Sequence, residues 1–358
     1  MRPAARAAIT AGSIVLVAVI ALTVRSLTAF GVFSAVTPGF AGVCTAINGV
    51  EGPEDIAIDD KLGVAFISAA DRRAKANGKP SPQDGLYVLA LNGAGNLTKL
   101  PGTPGDFHPH GISLYRAPDG NETLMAINHR SDGTSSVDSF DVVAQAGSVK
   151  LREIGSIEGG QLVSPNAIAA LDNDRFYVTN DHTSQTAFGR MLDDLLVLPR
   201  ANVLYFDGTV FHLAADRLNF PSGAALSPDG KYLYVSEAFN RRLDTYARSP
   251  MSGALDPAGT LEIPSNLDNL RFDASGTLWV GSHPKALAMA AWRSDRAKPA
   301  PSEIFRIVLA NGIPQSATIV YANLGAEIGG SGVAAVTGKR MLIGSPLDNK
   351  ILDCRMDQ

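Results

Sequence analysis

The chain has 358 residues, of which 45% are hydrophobic and 18% are charged, and its formal net charge is −4. This composition is typical of a globular protein with enough apolar material for a large core. A negative net charge without a basic run argues against a nucleic acid as the partner.

The first predicted element is an uncharged apolar run, Ala8–Val24, with Arg2 and Arg6 before it and Arg25 after it. Its 17 residues are few for a membrane span and many for the apolar part of a signal peptide. Arginines on the leading side favour an N-terminus that stays inside and a remainder that is exported. We expect residues 1–25 to form an uncleaved signal anchor, with a cleaved signal peptide as the alternative. The protein is then held at the membrane on the extracytoplasmic side, in the periplasm, cell envelope or extracellular space.

Residues 26–43 are expected to link this segment to a single domain over residues 44–358. The two cysteines of the chain, Cys44 and Cys354, stand at opposite ends of that domain. A disulfide between them would join the two ends and fits an oxidising compartment. Two free buried thiols are the alternative.

A short segment recurs six times along this domain. Four copies open with a proline, and these prolines are spaced by 56 residues: Pro53, Pro109, Pro165 and Pro221. The last two copies, Leu267–Phe272 and Gly330–Ala335, lack the proline. A fixed period of this size indicates a repeat architecture. Because each copy is followed by a turn and a second run of β-branched and aromatic residues, the pattern predicts an all-β fold, a six-bladed β-propeller.

In a propeller the first strand of each blade lines a central channel, so the residues that begin these strands should meet at one mouth. Those residues are Glu54, His110, Asn166, Ser222, Asp268 and Ser331. The second strands run antiparallel, so their ends should return to the same mouth. Those ends carry His129, Asp181, His182, Glu237 and His283. We therefore expect a functional site at this mouth.

Two stretches interrupt the repeats. After His182 the apolar residues follow helical spacing, which predicts a short amphipathic helix: Phe188, Met191, Leu192, Leu195 and Leu196. We expect this helix to lie over the active-site mouth as a lid or pocket wall, with an ordinary packed connector as the alternative. The insertion Asp71–Gln83 is charged and contains proline and glycine, which predicts a loop.

The expected mouth is rich in oxygen donors. Carboxylate, amide and hydroxyl oxygens favour a hard cation, with calcium first, and the candidate ligands are Glu54, Asn166, Ser222, Asp268 and Asn269. Such an ion would polarise a substrate carbonyl. His110 is the candidate base that activates water, and His129 could relay the proton, although a structural role is the alternative for each. The sequence has no Gly-x-Ser-x-Gly motif, so a serine hydrolase is disfavoured.

Several segments resemble those of the serum paraoxonase/arylesterase family, which is related to the gluconolactonase-like propellers. The segments include HPHGIS, FYVTNDH, LDNLRFDASGTLWVGSHP and the terminal MLIGSPLDNKILDC, and the resemblance spans roughly residues 44–354. It implies a calcium-dependent propeller that hydrolyses lactones and aryl esters. It assigns the ion to Glu54, Asn166, Asp268 and Asn269, the catalytic pair to His110 and His129, and a pocket role to His283.

The resemblance also implies a second, structural calcium, bound by Asp55 and the backbone carbonyl of Ile112. This chain departs from the family at two places: Ala167 stands where the family has an aspartate ligand of that ion, and Ser222 stands where the family has an asparagine ligand of the first ion. Binding of the second ion therefore stays open at this point.

The leading hypothesis is a calcium-dependent hydrolase of lactones and aryl esters, in which His182, Asp181 and His283 line the substrate pocket. Two alternatives stand beside it. One is a sugar-lactone hydrolase of the gluconolactonase type, and the other is a non-catalytic binding propeller at the membrane.

Overall fold

The computed structural model of the protein describes residues 3–79, 81–93, 95–145 and 148–357, with side chains from residue 10 onward. The helices in these ranges are α1 (Pro3–Ala29), α2 (Arg72–Ala76), α3 (Ala187–Leu195) and α4 (Ala286–Ser294). The strands are β1 (Gly39–Phe40), β2 (Gly42–Asn48), β3 (Pro53–Asp59), β4 (Val64–Ala69), β5 (Gly85–Ala90), β6 (Thr98–Lys99), β7 (Pro109–Arg116), β8 (Glu122–His129), β9 (Ser135–Gln145), β10 (Ser148–Glu158), β11 (Pro165–Ala170), β12 (Phe176–Asn180), β13 (Ala201–Phe206), β14 (Phe211–Leu218), β15 (Pro221–Leu226), β16 (Tyr232–Glu237), β17 (Arg242–Arg248), β18 (Leu255–Glu262), β19 (Leu267–Phe272), β20 (Leu278–Ser282), β21 (Ser302–Ala310), β22 (Ile313–Asn323), β23 (Val333–Thr337), β24 (Arg340–Gly344) and β25 (Lys350–Met356).

These strands form six antiparallel sheets that follow one another along the chain. The first strand of each sheet contacts the first strand of the next, from β3 through β7, β11, β15 and β19 to β23, and β23 contacts β3 again. The sheets therefore surround a common axis as blades. The predicted six-bladed β-propeller is confirmed.

The ring is closed by pairing the two ends of the domain. Blade six takes its outer strand, β2, from the N-terminal side and its other three strands, β23 to β25, from the C-terminal end. Cys44 lies directly opposite Cys354 in the β2–β25 pair, and a disulfide joins them. The predicted disulfide is confirmed, and it covalently fastens the closing strand of the ring.

The segment between the N-terminal helix and the propeller is more ordered than a linker. Helix α1 continues past residue 25 to Ala29. Strand β1 then pairs with Tyr321 and Ala322 as an outer fifth strand of blade five. Because β22 would otherwise expose its edge hydrogen-bonding groups there, part of the stretch 26–43 is recruited into the sheet.

Helix α1 stands apart from the propeller except at its end. Residues Thr10–Ala29 are long and apolar enough to cross a membrane, with a mean hydropathy of 1.9 and 6% of that stretch buried. Arg25 and Ser26 donate hydrogen bonds to the backbone carbonyls of Val197 (2.8 Å) and Leu195 (2.7 Å). The last turns of α1 are thus fixed beside α3.

Helix α3 begins at a threonine cap, because Thr186 Oγ1 accepts a hydrogen bond from the Gly189 backbone N–H. Its orientation is the reverse of an ordinary amphipathic helix. Asp193 is buried, whereas the apolar side chains of Phe188, Met191 and Leu195 are 65%, 47% and 47% exposed. The apolar face of α3 therefore points away from the propeller core.

Candidate active site

The residues predicted to face the mouth lie in irregular stretches of the first strands. In five blades the pairing register of the first and second strands shifts at the start of the first strand. The shifts lie between Pro53 and Asp55, Pro109 and Ile112, Pro165 and Ile168, Pro221 and Gly223, and Leu267 and Leu270. These shifts contain Glu54, His110, Asn166, Ser222, Asp268 and Asn269. A β-bulge redirects side chains and is common beside active sites.

Blade six lacks this feature in the described structure, because β23 and β24 pair without a register shift. Ser331, which was expected at the mouth, precedes β23 and is fully buried. Its hydroxyl donates to the backbone carbonyls of Ser282 (2.7 Å) and Glu303 (3.1 Å). Ser331 therefore supports the backbone, and among the described residues it is absent from the cavity lining.

The other leading side chains meet around a cavity of about 520 Å³ at one end of the channel. Its polar lining includes Glu54, Arg72, His110, His129, Asn166, Asp181, His182, Ser222, Asp268 and His283. Its apolar lining includes Phe220, Phe239 and Met289. Every predicted catalytic and pocket residue lies here, and so do four of the five predicted metal ligands. Asn269 is buried and does not line the cavity.

The two predicted catalytic histidines form a chain with a carboxylate. His110 Nε2 lies 3.1 Å from Glu54 Oε2, and His110 Nδ1 lies 2.9 Å from His129 Nε2. His129 Nδ1 in turn lies 3.1 Å from the hydroxyl of Ser135. Three successive contacts at hydrogen-bond distance therefore lead from the cavity into blade two, through Glu54, His110, His129 and Ser135.

Both histidines in this chain are neutral near pH 7. Burial lowers the pKa of His110 to about 3, and the nearby Arg72 guanidinium acts in the same direction. Burial also lowers the pKa of His129 well below its usual value, with His110 as the next cause. A neutral imidazole has a free lone pair, so His110 is in the protonation state that a general base requires.

His182 carries the opposite charge state. Its Nδ1 lies 2.9 Å from Asp181 Oδ1, and its Nε2 lies 2.8 Å from Asp194 Oδ1. Burial disfavours the charged forms, but the hydrogen bonds between these groups outweigh it: the pKa of His182 rises to about 9 and the pKa of Asp181 is lowered. The other oxygen of Asp181 accepts a hydrogen bond from Asn166 Nδ2 (3.1 Å). This arrangement turns the Asn166 amide so that its nitrogen points to Asp181.

Two oxygen groups in the cavity are candidate ligands for a cation. Asn166 Oδ1 is buried and has no hydrogen-bond partner among the described residues. The Asp268 carboxyl has its pKa raised well above its usual value, first by burial and then by the charge of Asp55. His283 Nδ1 is 3.7 Å from Asp268 Oδ2, which is too far for a hydrogen bond. An oxygen-binding cation would satisfy both Asn166 and Asp268.

The predicted metal ligands do not form a cluster of acidic side chains. No group of three or more His, Cys, Asp or Glu side chains arranged to hold a metal occurs in the described ranges. The predicted set does not require one, because it has only two carboxylates, Glu54 and Asp268. The Ser222 hydroxyl donates to the carbonyl of Leu267 (2.8 Å), so its oxygen can still accept or ligate. The amide and carboxylate oxygens that line the cavity therefore fit a hard cation.

Sequence reasoning missed a cation that already lies at this place. Arg72 is on α2, inside the insertion that was expected to be a loop, and its guanidinium is hydrogen-bonded to Glu54 Oε2. The helix starts at Asp71, whose side chain accepts hydrogen bonds from the backbone N–H groups of Arg73 and Ala74. An aspartate at this position is a sequence signal for the start of a helix. The charged composition of the insertion favoured a loop instead, so the helix was not predicted.

The cavity wall contains further residues that the repeat pattern did not indicate. Arg190 and Asp194 come from α3, Met289 and Arg293 come from α4, and Phe220 precedes a repeat proline. The alanine-rich stretch of α4 has high helix propensity, which was a usable signal. Its position over the cavity follows from the packing of blade five and could not be obtained from the sequence.

The predicted second metal site lies deeper in the channel. Asp55 is 1% exposed and does not line the cavity. Its Oδ2 accepts a hydrogen bond from the Ile112 backbone N–H (2.9 Å), and Arg271 is hydrogen-bonded to both Asp55 Oδ2 and the Ile112 carbonyl. A side-chain cation therefore lies on the two groups that were expected to bind the second ion.

Comparisons with known proteins agree with this architecture. The arylesterase family model matches residues 94–356. The chain is 31% identical over 327 residues to serum paraoxonase/arylesterase 1 of Rattus norvegicus, covering 89% of this chain and 90% of that protein. It is 30% identical over 321 residues to serum paraoxonase/arylesterase 2 of Bos taurus, covering 87% and 88%.

Among solved structures, a protein described as a gluconolactonase superposes with a TM-score of 0.53 at 15% identity, covering 91% of this chain and 95% of that one. Regucalcin of Agrobacterium tumefaciens, a calcium-binding protein, superposes with a TM-score of 0.51 at 12% identity, covering 90% and 97%. At such identities these structures show the shared propeller fold alone. On the extent of the family match and of the identity to the relatives, the chain belongs to the arylesterase family of enzymes.

Proposed function

We propose that the protein is a calcium-dependent hydrolase of lactones and aryl esters, and that the cavity around Glu54 is its active site. The observation that carries this proposal is the connected set Glu54–His110–His129 next to two buried oxygen groups: Asn166 Oδ1, which has no described hydrogen-bond partner, and the Asp268 carboxyl, whose charged form is disfavoured by burial. A carboxylate, two neutral imidazoles and a hard-cation ligand set in one cavity are the groups that metal-assisted ester hydrolysis needs.

In this proposal Glu54, Asp268 and Asn166 hold the calcium ion, with Ser222 and Asn269 as further oxygen donors. When bound, the ion supplies Lewis-acid polarisation of the substrate carbonyl and stabilises the negative charge that develops on its oxygen. Because the Arg72 guanidinium is hydrogen-bonded to Glu54 Oε2, an ion that takes this oxygen exchanges places with the guanidinium. That exchange replaces one cation by another on the same buried carboxylate.

In this proposal the two histidines take up and relay the proton of the attacking water. His110 takes a proton from the attacking water at Nε2, the nitrogen that faces the cavity, in the tautomer whose ring proton is on Nδ1; in that tautomer Nε2 carries no proton and makes no hydrogen bond to Glu54. The proton on Nδ1 of His110 is then shared with Nε2 of His129, 2.9 Å away. His129 is in turn oriented by Ser135 and by the Lys75 side chain, which donates to the His129 backbone carbonyl (2.5 Å). The contacts at Nδ1 and Nε2 fix the orientation of the His129 ring, and the contact at Nδ1 fixes that of His110.

The remaining walls of the cavity provide the substrate pocket. His182 is held as a cation between Asp181 and Asp194, and this charged pair keeps the Asn166 amide oriented. Phe220, Phe239 and Met289 supply the apolar surface for the acyl or aryl part of a substrate. Apolar walls with a few convergent polar groups are typical of small-molecule sites.

The protein is anchored in a membrane through α1, with the propeller on the extracytoplasmic side. The length and apolarity of α1 support this, and so does the disulfide, which persists in oxidising compartments. The exposed apolar side chains of α3 lie beside the end of α1, where Ser26 bonds to Leu195. Protease treatment of spheroplasts, whose cytoplasmic membrane is intact, should digest the propeller; a propeller that stays protected until that membrane is lysed would contradict this placement.

A substrate panel tests the activity. Phenyl acetate, aliphatic γ- and δ-lactones and glucono-δ-lactone are assayed with excess calcium and with EGTA, using wild type and Asp268→Asn. We expect turnover of aryl ester and aliphatic lactone with calcium and its loss in EGTA and in Asp268→Asn. Activity unaffected by EGTA would contradict the calcium dependence. Turnover of the sugar lactone alone would favour the gluconolactonase type, and bound calcium without turnover would favour a binding propeller.

A further inference from the structure

The carboxylate of Asp55 is a buried charged group inside the channel. It is 1% exposed, and its two oxygens accept hydrogen bonds from the backbone N–H groups of Ile56 and Ile112, both at 2.9 Å. Two N–H groups offset part of the cost of burying a carboxylate, but an isolated negative charge at this depth still needs a cation.

Arg271 supplies that cation from blade five, two positions away from Asp55 in the ring. Its Nη2 is hydrogen-bonded to Asp55 Oδ2 and to the Ile112 carbonyl (2.8 Å). Its Nε donates to the Ile56 carbonyl (2.8 Å), and its Nη1 donates to the Leu270 carbonyl (2.8 Å). All three nitrogens of the guanidinium are thus engaged, and every partner except the carboxylate is a backbone carbonyl.

These contacts connect three blades across the axis. Arg271 belongs to β19 of blade five, Asp55 and Ile56 belong to β3 of blade one, and Ile112 belongs to β7 of blade two. Blades two and five stand opposite each other in a ring of six. The Arg271 side chain therefore links β19 to β3 and β7, neither of which is adjacent to β19 in the ring.

A metal ion does not fit at this place. It would need Asp55 Oδ2 and the Ile112 carbonyl, and both are held by the guanidinium. A divalent ion next to an arginine would also be repelled, because little solvent is present to screen the two charges. Ala167, in the neighbouring blade three, offers no side-chain oxygen as a further ligand.

We infer that the Arg271 guanidinium is the permanent cation of the inner channel, and that this position binds no metal. The inner channel then needs no metal to stay folded, and the calcium ion of the proposed function, on which this count rests, is left with the cavity as its site. Arg271 also lines a second cavity of about 320 Å³ at the opposite end of the channel, so with Asp55 it separates the two ends.

Calcium stoichiometry tests this on the full-length protein in detergent, after removal of metal with EGTA. Calcium alone is titrated by calorimetry into wild type and into Asp268→Asn, which disables the cavity site. We expect about one ion in wild type and none in Asp268→Asn. An ion retained by Asp268→Asn, or two ions in wild type, would overturn the inference. No ion in wild type would contradict the calcium-dependent function and still agree with the present inference.

The role of Arg271 is tested separately by thermal unfolding in EGTA. Arg271→Met leaves Asp55 buried without a cation, so we expect Tm to fall by about 5–10 °C. Arg306→Met is the matched control, because Arg306 lies exposed on β21 of the same blade, and its Tm should be unchanged. If Arg271→Met does not fold, Arg271→Lys, which keeps the charge, should fold and bind one ion. Equal Tm values for Arg271→Met and Arg306→Met would overturn the role.

Discussion

The Nε2 atom of His110 lies 3.1 Å from the Oε2 atom of Glu54, so the proposed base and a proposed metal ligand share one contact in the cavity. Any cation that draws the Glu54 carboxylate to itself weakens its hold on the histidine. Metal binding at Glu54 would therefore free the His110 nitrogen that faces the cavity. The proposed metal site and the proposed base are thus linked through a single side chain.

Replacing His110 tests its role as base. His110→Gln keeps hydrogen-bonding capacity but cannot take up a proton, so we expect kcat for phenyl acetate to fall by about 10²–10⁴-fold. His212→Gln is the control, because His212 is exposed and paired with Asp207 outside the cavity. A fall of only a few-fold in His110→Gln would assign the histidine a structural role.

Removing Arg72 should strengthen calcium binding. The Arg72 guanidinium is paired with Glu54, so Arg72→Met takes away a competing cation, and we expect the calcium Kd to fall by about tenfold. The metal-free variant should unfold at a lower temperature, because Glu54 then lacks a counter-ion. Calorimetry and thermal unfolding in EGTA measure the two effects. Arg152→Met, at an exposed pair with Asp141, is the control, and an unchanged Kd in Arg72→Met would show that Arg72 does not compete.

His182 should stabilise the fold in a pH-dependent manner. Its pKa is about 9 in the folded protein, against about 6.5 for an unperturbed histidine. Because the folded value is raised, the contribution is fully present below pH 6.5 and is lost as the pH rises through 9, and it amounts to about 3 kcal/mol. Urea unfolding of wild type and His182→Gln should therefore differ most at pH 6 and converge at pH 10. A difference that grows with pH would have the wrong sign.

Gly223 should be needed for the position of Asp268. A Cβ atom at Gly223 would lie 2.4 Å from the Asp268 carbonyl oxygen and 2.6 Å from Ser236 Oγ, so blades four and five could not approach as they do. We expect Gly223→Ala to lower Tm by several degrees and to weaken calcium binding. Gly105→Ala is the control, because a Cβ there meets nothing within 4 Å. If both variants bind calcium equally, the close approach does not position the site.

The disulfide should stabilise the whole ring. Cys44 and Cys354 are 310 residues apart in sequence, and a bridge that closes a long loop restricts the unfolded chain most. We expect Cys44→Ser/Cys354→Ser to lose about 2–5 kcal/mol of unfolding free energy. The activity of this variant should fall only in proportion to the fraction of molecules that is unfolded. Reduction that left Tm unchanged would mean that the strand pairing alone closes the ring.

The propeller and most of the cavity residues could be predicted from the sequence, because the 56-residue spacing repeats both the strands and their leading side chains. Repetition places equivalent positions at equivalent points around an axis. For that reason Glu54, His110, Asn166 and Asp268 were identified together although they are far apart in the chain. The cysteine pairing followed from the same ring closure.

The failures of prediction have one physical origin. Ser331 occupies the same place in its repeat as Glu54, yet the sixth blade has no register shift in its described strands and turns the hydroxyl into the backbone. Arg72 and Arg271 lie outside the strand that carries their carboxylate: Arg72 is on α2 of the same blade, 18 residues from Glu54, and Arg271 is in blade five, 216 residues from Asp55. The repeat pattern predicts where each strand begins, but it does not predict which long side chain from another part of the chain packs beside that strand.

The order of residues along the chain therefore determined the blades, their number, their closure and the ring of polar side chains at one mouth. Three-dimensional packing decided which of those side chains have partners. Asp55 pairs with an arginine, and Glu54 contacts both an arginine and a histidine. Asn166 has a buried oxygen without a described partner. The reason is that the charge balance of a buried group depends on all neighbours within a few ångströms, and in a closed ring those neighbours come from every blade.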